Sequence, residues 1–156
     1  MFKLVAIFDK ELKGSICESI LRMLPNWFGV EESIIDYTKL TKEMPFYTVY
    51  DDKNPVGFVA IKVHNRFTAE VFVMGVLQEY HRKGIGRMLI NRYEEFCREN
   101  CMEFLTVKTL DESRPNKSYE KTRLFYMAMG FRPIEVFKTF WNEDNPCLLM
   151  AKYIQK

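Results

Sequence analysis

The segment that most constrains this chain runs from 70 to 95: EVFVMGVLQEYHRKGIGRMLINRYEE. An apolar, strand-like run over 71–77 meets a basic, glycine-punctuated turn, His81-Arg82-Lys83-Gly84-Ile85-Gly86. A helical pattern follows at once, with Ile85, Met88, Leu89, Tyr93, Phe96 and Cys97 on one stripe. A strand feeding a glycine turn that opens a helix is a physical arrangement for holding phosphate. Glycines let the backbone approach closely, free N–H groups at the helix N-terminus point at the anion, and the helix dipole favours negative charge. His81, Arg82, Lys83 and Arg87 surround the turn and add Coulomb attraction.

The spacing separates this turn from other phosphate loops. A Walker loop needs G-x-x-x-x-G-K-[ST], and the chain has no such string. A dinucleotide fingerprint needs G-x-G-x-x-G, but Leu89 stands where the third glycine belongs. What remains is x-x-x-G-x-G after a strand. A net charge of +2 is too small to argue for nucleic acid by bulk electrostatics, so the positive charge that matters is local.

The 156 residues fit one domain, 1–156, and 47% hydrophobic with 15% aromatic residues marks a globular chain. Cys17, Cys97, Cys101 and Cys147 form no C-x-x-C pair. With His64 and His81 in unrelated contexts, the expectation is reduced, mostly buried thiols in a cytoplasmic protein and no metal. The N-terminal MFKLVAIF is too short and too soon charged for a signal peptide, and no apolar run reaches membrane-spanning length.

Periodicity and punctuation give the element order. Residues 2–8 read as a strand, and 11–24 as a helix carrying Leu12, Ile16 and Ile20, stopped by Pro25. A second helix over 31–42 precedes strands at 46–50 and 56–63, joined by the turn signal Asp51-Asp52-Lys53-Asn54-Pro55. The strand from Glu70 and the helix after the turn come next. A strand at 104–109, a helix at 119–129 capped by Gly130, and strands at 134–140 and 148–153 complete the chain. The order β α α β β β α β α β β, without linker or repeat, predicts a single α/β domain with a mixed sheet.

A second motif closes the late helix: Leu124-Phe125-Tyr126-Met127-Ala128-Met129-Gly130-Phe131. On its own it is a helix with core aromatics and a glycine cap. Together with H-R-K-G-I-G it resembles the GNAT family of N-acetyltransferases. The turn resembles that family's pyrophosphate loop, with His81 where Gln or Arg is usual. The late helix resembles its second signature, and the element order is the family's order over nearly the whole chain. The resemblance implies a GNAT-like single domain, with a mixed, mostly antiparallel sheet of about seven strands and about four helices. It implies acetyl-CoA as co-substrate, without a metal, and direct transfer of the acetyl group to a primary amine of a small-molecule acceptor.

The resemblance also distributes roles. Tyr126 is expected near the CoA sulfur, where a phenol with an ordinary pKa of about 10 can protonate a leaving thiolate. The sheet is expected to splay beside Met74-Gly75-Val76. There the Val76 N–H, with Met74 nearby, polarises the thioester carbonyl. The turn residues His81, Arg82, Lys83, Gly84, Ile85, Gly86 and Arg87 take the pyrophosphate. Tyr119 stands where the family often carries an Asn, so the usual side-chain bond to the pantetheine is not expected there, and Tyr119 and Thr122 are counted among the cofactor-binding residues.

The amine must lose its proton before it attacks. Glu70 is the first candidate base, acting through water, against the plainer reading of a solvated strand-end carboxylate. Asp36 and Glu32 are weaker, and nothing in the sequence places His64 in the site. Cys147 as an acyl carrier has no partner His nearby in sequence. Trp27, Phe28 and Trp141, with Tyr37 and Phe140, are candidates to line the acceptor site, Trp27 on a loop bounded by Pro25 and Gly29. Exposed aromatics near 137–141 would permit a homodimer. Two other readings stay open: an acyl-CoA-binding sensor without turnover, and a nucleotide-binding protein using the same turn.

Overall fold

Caps and turns decide where the elements begin and end. In the computed structural model, which describes residues 1–154, the order is β1 (Phe2–Ala6), α1 (Lys10–Arg22), α2 (Glu31–Leu40), β2 (Phe46–Asp51), β3 (Asn54–Val63), β4 (Thr68–Val76), α3 (Ile85–Glu99), β5 (Phe104–Leu110), α4 (Lys117–Ala128), β6 (Arg132–Asn142) and β7 (Asn145–Tyr153). Single 3-10 turns occupy Thr41–Glu43 and Gln78–Tyr80. The expected elements are all present, in the expected order.

Boundaries shift where a side chain caps the backbone. The Leu12 N–H donates to Asp9 Oδ2 at 2.9 Å, so α1 opens at Lys10 rather than Glu11. The first hairpin turn is tighter than the sequence suggests. Asp51 pairs with Asn54 and Tyr50 with Pro55, which leaves only Asp52, at φ 53°, and Lys53 to turn the chain. Pro55, with no N–H, is tolerated near the strand start. The late hairpin likewise pairs Asn142 with Asn145, which puts Trp141 in strand β6 and not on a loop.

The strands form one mixed sheet in the order β1-β2-β3-β4-β5-β7-β6. The pairs β1–β2, β2–β3, β5–β7 and β6–β7 are antiparallel. The pair β4–β5 is parallel, with Thr68–Val71 opposite Phe104–Val107, and β4 continues beyond that register to Val76. The molecule is one α/β domain of seven strands and four helices, and its contacts group into two units.

The first unit comprises Met1–Lys62 and Phe72–Phe96. The helical spacing of α1 delivers Ile16, Cys17, Ile20 and Leu21 into a core with Ile34, Phe46, Phe58, Ala60 and Val73. Arg22 at the end of α1 donates to both carboxylate oxygens of Glu31, at 2.7 and 2.8 Å, and to Glu18 at 3.0 Å, fixing the start of α2. Gly57 lets α3 approach β3: a Cβ there would lie 2.9 Å from Ile85 Cγ2 and 3.3 Å from the Gly75 carbonyl oxygen.

The second unit comprises Val63–Val71 and the chain from Cys97 onward. Leu105, Val107, Tyr126, Phe131, Cys147 and Met150 are among its buried residues. Helix α4 is closed at both ends. Asn116 Oδ1 accepts the Tyr119 N–H at 3.1 Å. At the other end Gly130, at φ +98°, donates its N–H to the Met127 carbonyl, and the Phe131 N–H bonds the Tyr126 carbonyl. This is the Schellman cap that the glycine predicts, and it fixes the backbone on which Tyr126 stands.

Candidate active site

The glycine turn is built by its own backbone. Arg82 and Gly84 both take left-handed conformations, at φ +64° and +83°. The Met88 N–H bonds the Gly84 carbonyl at 3.0 Å and starts the α3 ladder. The N–H groups of Ile85, Gly86 and Arg87 therefore precede the first intrahelical bond and are free to donate to an anion. Arg82, Lys83 and Arg87 are exposed. Lys83 Nζ lies 5.1 Å from the Tyr80 ring centroid, and Tyr80 donates its hydroxyl to Asp51 at 2.7 Å.

His81 has a bond within the turn. Its Nε2 donates to the Val76 carbonyl oxygen at 2.8 Å, which pins the turn to the end of β4. The imidazole also meets the Trp27 indole edge-on, with centroids 5.6 Å apart. Both contacts order the turn.

Trp27 and Phe28 are the first unit's candidates to line the acceptor site. Both are half-buried and pack against the first unit's core. Phe28 meets the Tyr37 ring at 6.0 Å, and Tyr37 meets Phe72 at 5.4 Å. Gly75 serves close packing: a Cβ there would come within 3.1 Å of Ile20 and Leu24. Met74 and Val76 are half-buried along the same strand.

The second unit carries Tyr126 and Glu70. Tyr126 is buried, with its ring 5.4 Å from Phe125 and 5.7 Å from Phe131. Burial, reinforced by Tyr119, drives its phenol well above the ordinary value, so it stays protonated across the neutral range. Thr122 donates its hydroxyl to the Ser118 carbonyl at 3.2 Å, and Tyr119 sits half-buried one turn away. Trp141 is exposed on β6, its ring 6.3 Å from that of Phe140.

Glu70 is not a solvated strand-end carboxylate. Its side chain is 6% exposed. Oε1 accepts from His64 Nε2 at 2.6 Å and from Lys108 Nζ at 3.0 Å, and Oε2 lies 3.1 Å from the same ammonium. Sequence reasoning missed both partners. The Asn65 side chain accepts the Phe67 and Thr68 N–H groups and tightens the turn that brings His64 back beside β4. Lys108 arrives from 38 residues away on β5.

Cys147 is fully buried, and burial raises its thiol to about 11, so it is a poor acyl carrier. Cys101 is exposed beyond the end of α3, at φ +58°, while the other three thiols are buried. Among the described residues no helix is long and apolar enough to cross a membrane.

Seven strands and four helices in this order, with a left-handed glycine turn between β4 and α3, define an α/β protein of mixed sheet. The sequence model of the acetyltransferase (GNAT) family matches residues 15–131. The chain belongs to that family. A protein of Desulfovibrio desulfuricans named as a GNAT acetyltransferase superposes with a TM-score of 0.83 at 15% identity, over 99% of this chain and 100% of that one. An aminoglycoside 6'-N-acetyltransferase complexed with coenzyme A gives 0.78 at 17%, over 99% and 98%. A GNAT acetyltransferase of Elizabethkingia anophelis with acetyl-CoA bound gives 0.74 at 16%, over 98% of both chains. No relative among the curated proteins matches the chain.

Proposed function

We propose that this protein transfers an acetyl group directly from acetyl-CoA to a primary amine of a small acceptor. The observation that carries the reading is the Arg82–Gly84 turn at the α3 N-terminus, with its left-handed backbone and exposed cations. Ile85, Gly86 and Arg87 donate backbone N–H groups to the CoA pyrophosphate, while Arg82, Lys83 and the Arg87 side chain supply charge. His81 holds the turn to Val76.

In the transfer step the amine nitrogen attacks the thioester carbonyl carbon and the carbon–sulfur bond breaks. The Val76 N–H, with Met74 beside it, polarises the carbonyl. Tyr119 and Thr122 line the pantetheine arm. Tyr126, held protonated by burial, gives its proton to the departing sulfur. Glu70 is the carboxylate on which deprotonation of the amine depends. Trp27, Phe28 and Trp141 supply aromatic surface to the acceptor.

Ligand-induced thermal stabilisation tests the cofactor. A ligand at a hundredfold its Kd stabilises the fold by about 2.7 kcal/mol, enough for a shift of several degrees. CoA and acetyl-CoA are expected to raise the melting temperature, and ATP and NAD at equal concentration are not. A response to NAD or ATP alone contradicts the reading of the turn.

A further inference from the structure

The second unit holds a cluster of ionisable side chains that the transfer step leaves half explained. Glu70 on β4 is buried with both oxygens engaged, by His64 at 2.6 Å and Lys108 at 3.0 and 3.1 Å. Phe140 on β6 places its ring 5.1 Å from the Lys108 ammonium. Cys147 on β7 senses both charges, but burial keeps it a neutral thiol. Among the described residues, Glu70 on β4 is the charged group that His64 meets, with Lys108 on β5 and the Cys147 thiol on β7 beyond it.

Donor and acceptor rules fix the state of His64. A carboxylate only accepts, so the imidazole nitrogen facing Glu70 carries the hydrogen. In the neutral ring the lone pair then sits on Nδ1. Nδ1 makes no bond among the described residues, and the His64 side chain is 33% exposed against 6% for Glu70. The carboxylate is enclosed and satisfied, while the imidazole it orients reaches solvent.

We infer that His64, through Nδ1, accepts the proton lost by the acceptor amine, and that Glu70 is the positioning residue behind it. The inference rests on the transferase reading above. The amine N–H bond breaks, the electron pair stays on nitrogen, and an Nδ1–H bond forms. The resulting imidazolium faces the Glu70 carboxylate, which stabilises it, and then releases its proton to water. Lys108 balances the carboxylate in the resting state. An imidazole suits the task because its ordinary range spans neutrality.

The test compares wild type with His64→Gln and Glu70→Gln, using the best amine among tyramine, lysine, kanamycin and an alanine-led peptide. His64→Gln keeps an N–H for Glu70 but cannot take a proton. Its kcat is expected to fall at least tenfold at neutral pH with KM for acetyl-CoA unchanged. The deficit should shrink as rising pH deprotonates the amine, and imidazole in solution should restore His64→Gly. An unchanged rate and pH profile in His64→Gln overturns the inference and leaves the transferase reading standing. Absence of wild-type turnover with every amine overturns both. Nitrogen-15 NMR gives a readout apart from activity. The neutral His64 ring should carry hydrogen on Nε2 in wild type and a mixture of tautomers in Glu70→Gln; hydrogen on Nδ1 in wild type overturns the inference.

Discussion

Tyr126→Phe is expected to lower acetyl transfer about a hundredfold, in line with the usual contribution of a positioned general acid. Acetyl-CoA binding and the melting temperature should change little. The substitution removes one oxygen and keeps the ring, with its contacts to Phe125 and Phe131. The Schellman cap that fixes the backbone at Tyr126 does not involve the side chain. Burial raises the pKa of the phenol, so it keeps its proton until well above neutrality. Any alkaline loss of activity below about pH 10, the ordinary phenol value, therefore comes from another group.

The same shift has a stability consequence of defined sign. Below the ordinary phenol range Tyr126 is protonated in both the folded and the unfolded chain. As pH rises beyond it, the unfolded chain ionises first and binds fewer protons, so stability falls with further increase in pH. Tyr126→Phe should weaken that alkaline loss. Steady-state kinetics with pH-dependent melting checks both points. A variant that loses acetyl-CoA binding together with rate would show that Tyr126 acts by packing.

Gly84→Val is expected to weaken CoA binding at least tenfold while the protein stays folded. Gly84 sits at φ +83°, and a Cβ built there meets nothing within 4 Å. The cost is therefore backbone strain and not a clash. A left-handed conformation costs an ordinary residue about 1–2 kcal/mol and a β-branched one more. Relieving the strain rotates the peptide next to the start of α3, which moves the N–H groups of Ile85 and Gly86 off the anion. Calorimetry with CoA measures the loss. Unchanged affinity would mean that the turn does not hold the ligand.

The strand–turn–helix was readable because its signals are local: an apolar strand run, then helical spacing, with glycines between. The Gly130 cap was readable for the same reason. Partners set by tertiary pairing were not. Lys108 reaches Glu70 only because β4 and β5 pair in parallel, and no periodicity reports that register. Without that pairing Glu70 looks like a solvated carboxylate and His64 like an exposed histidine. Nor does the sequence report that the His81 ring nitrogen bonds the Val76 carbonyl. Trp141 falls between the strands expected at 134–140 and 148–153, whereas Asn142 and Asn145 pair and leave a two-residue turn beyond it. Gly57 gave no signal at all, because what it makes room for is Ile85 from a distant helix.

The most direct measurement is release of free CoA from acetyl-CoA, followed with a thiol reagent across small amines, aminoglycosides, amino acids and peptides. The account predicts thiol release that requires an amine, with the acetyl group recovered on the acceptor nitrogen by mass spectrometry. Tight acetyl-CoA binding with no amine-dependent release would contradict the transferase and leave an acyl-CoA-binding sensor.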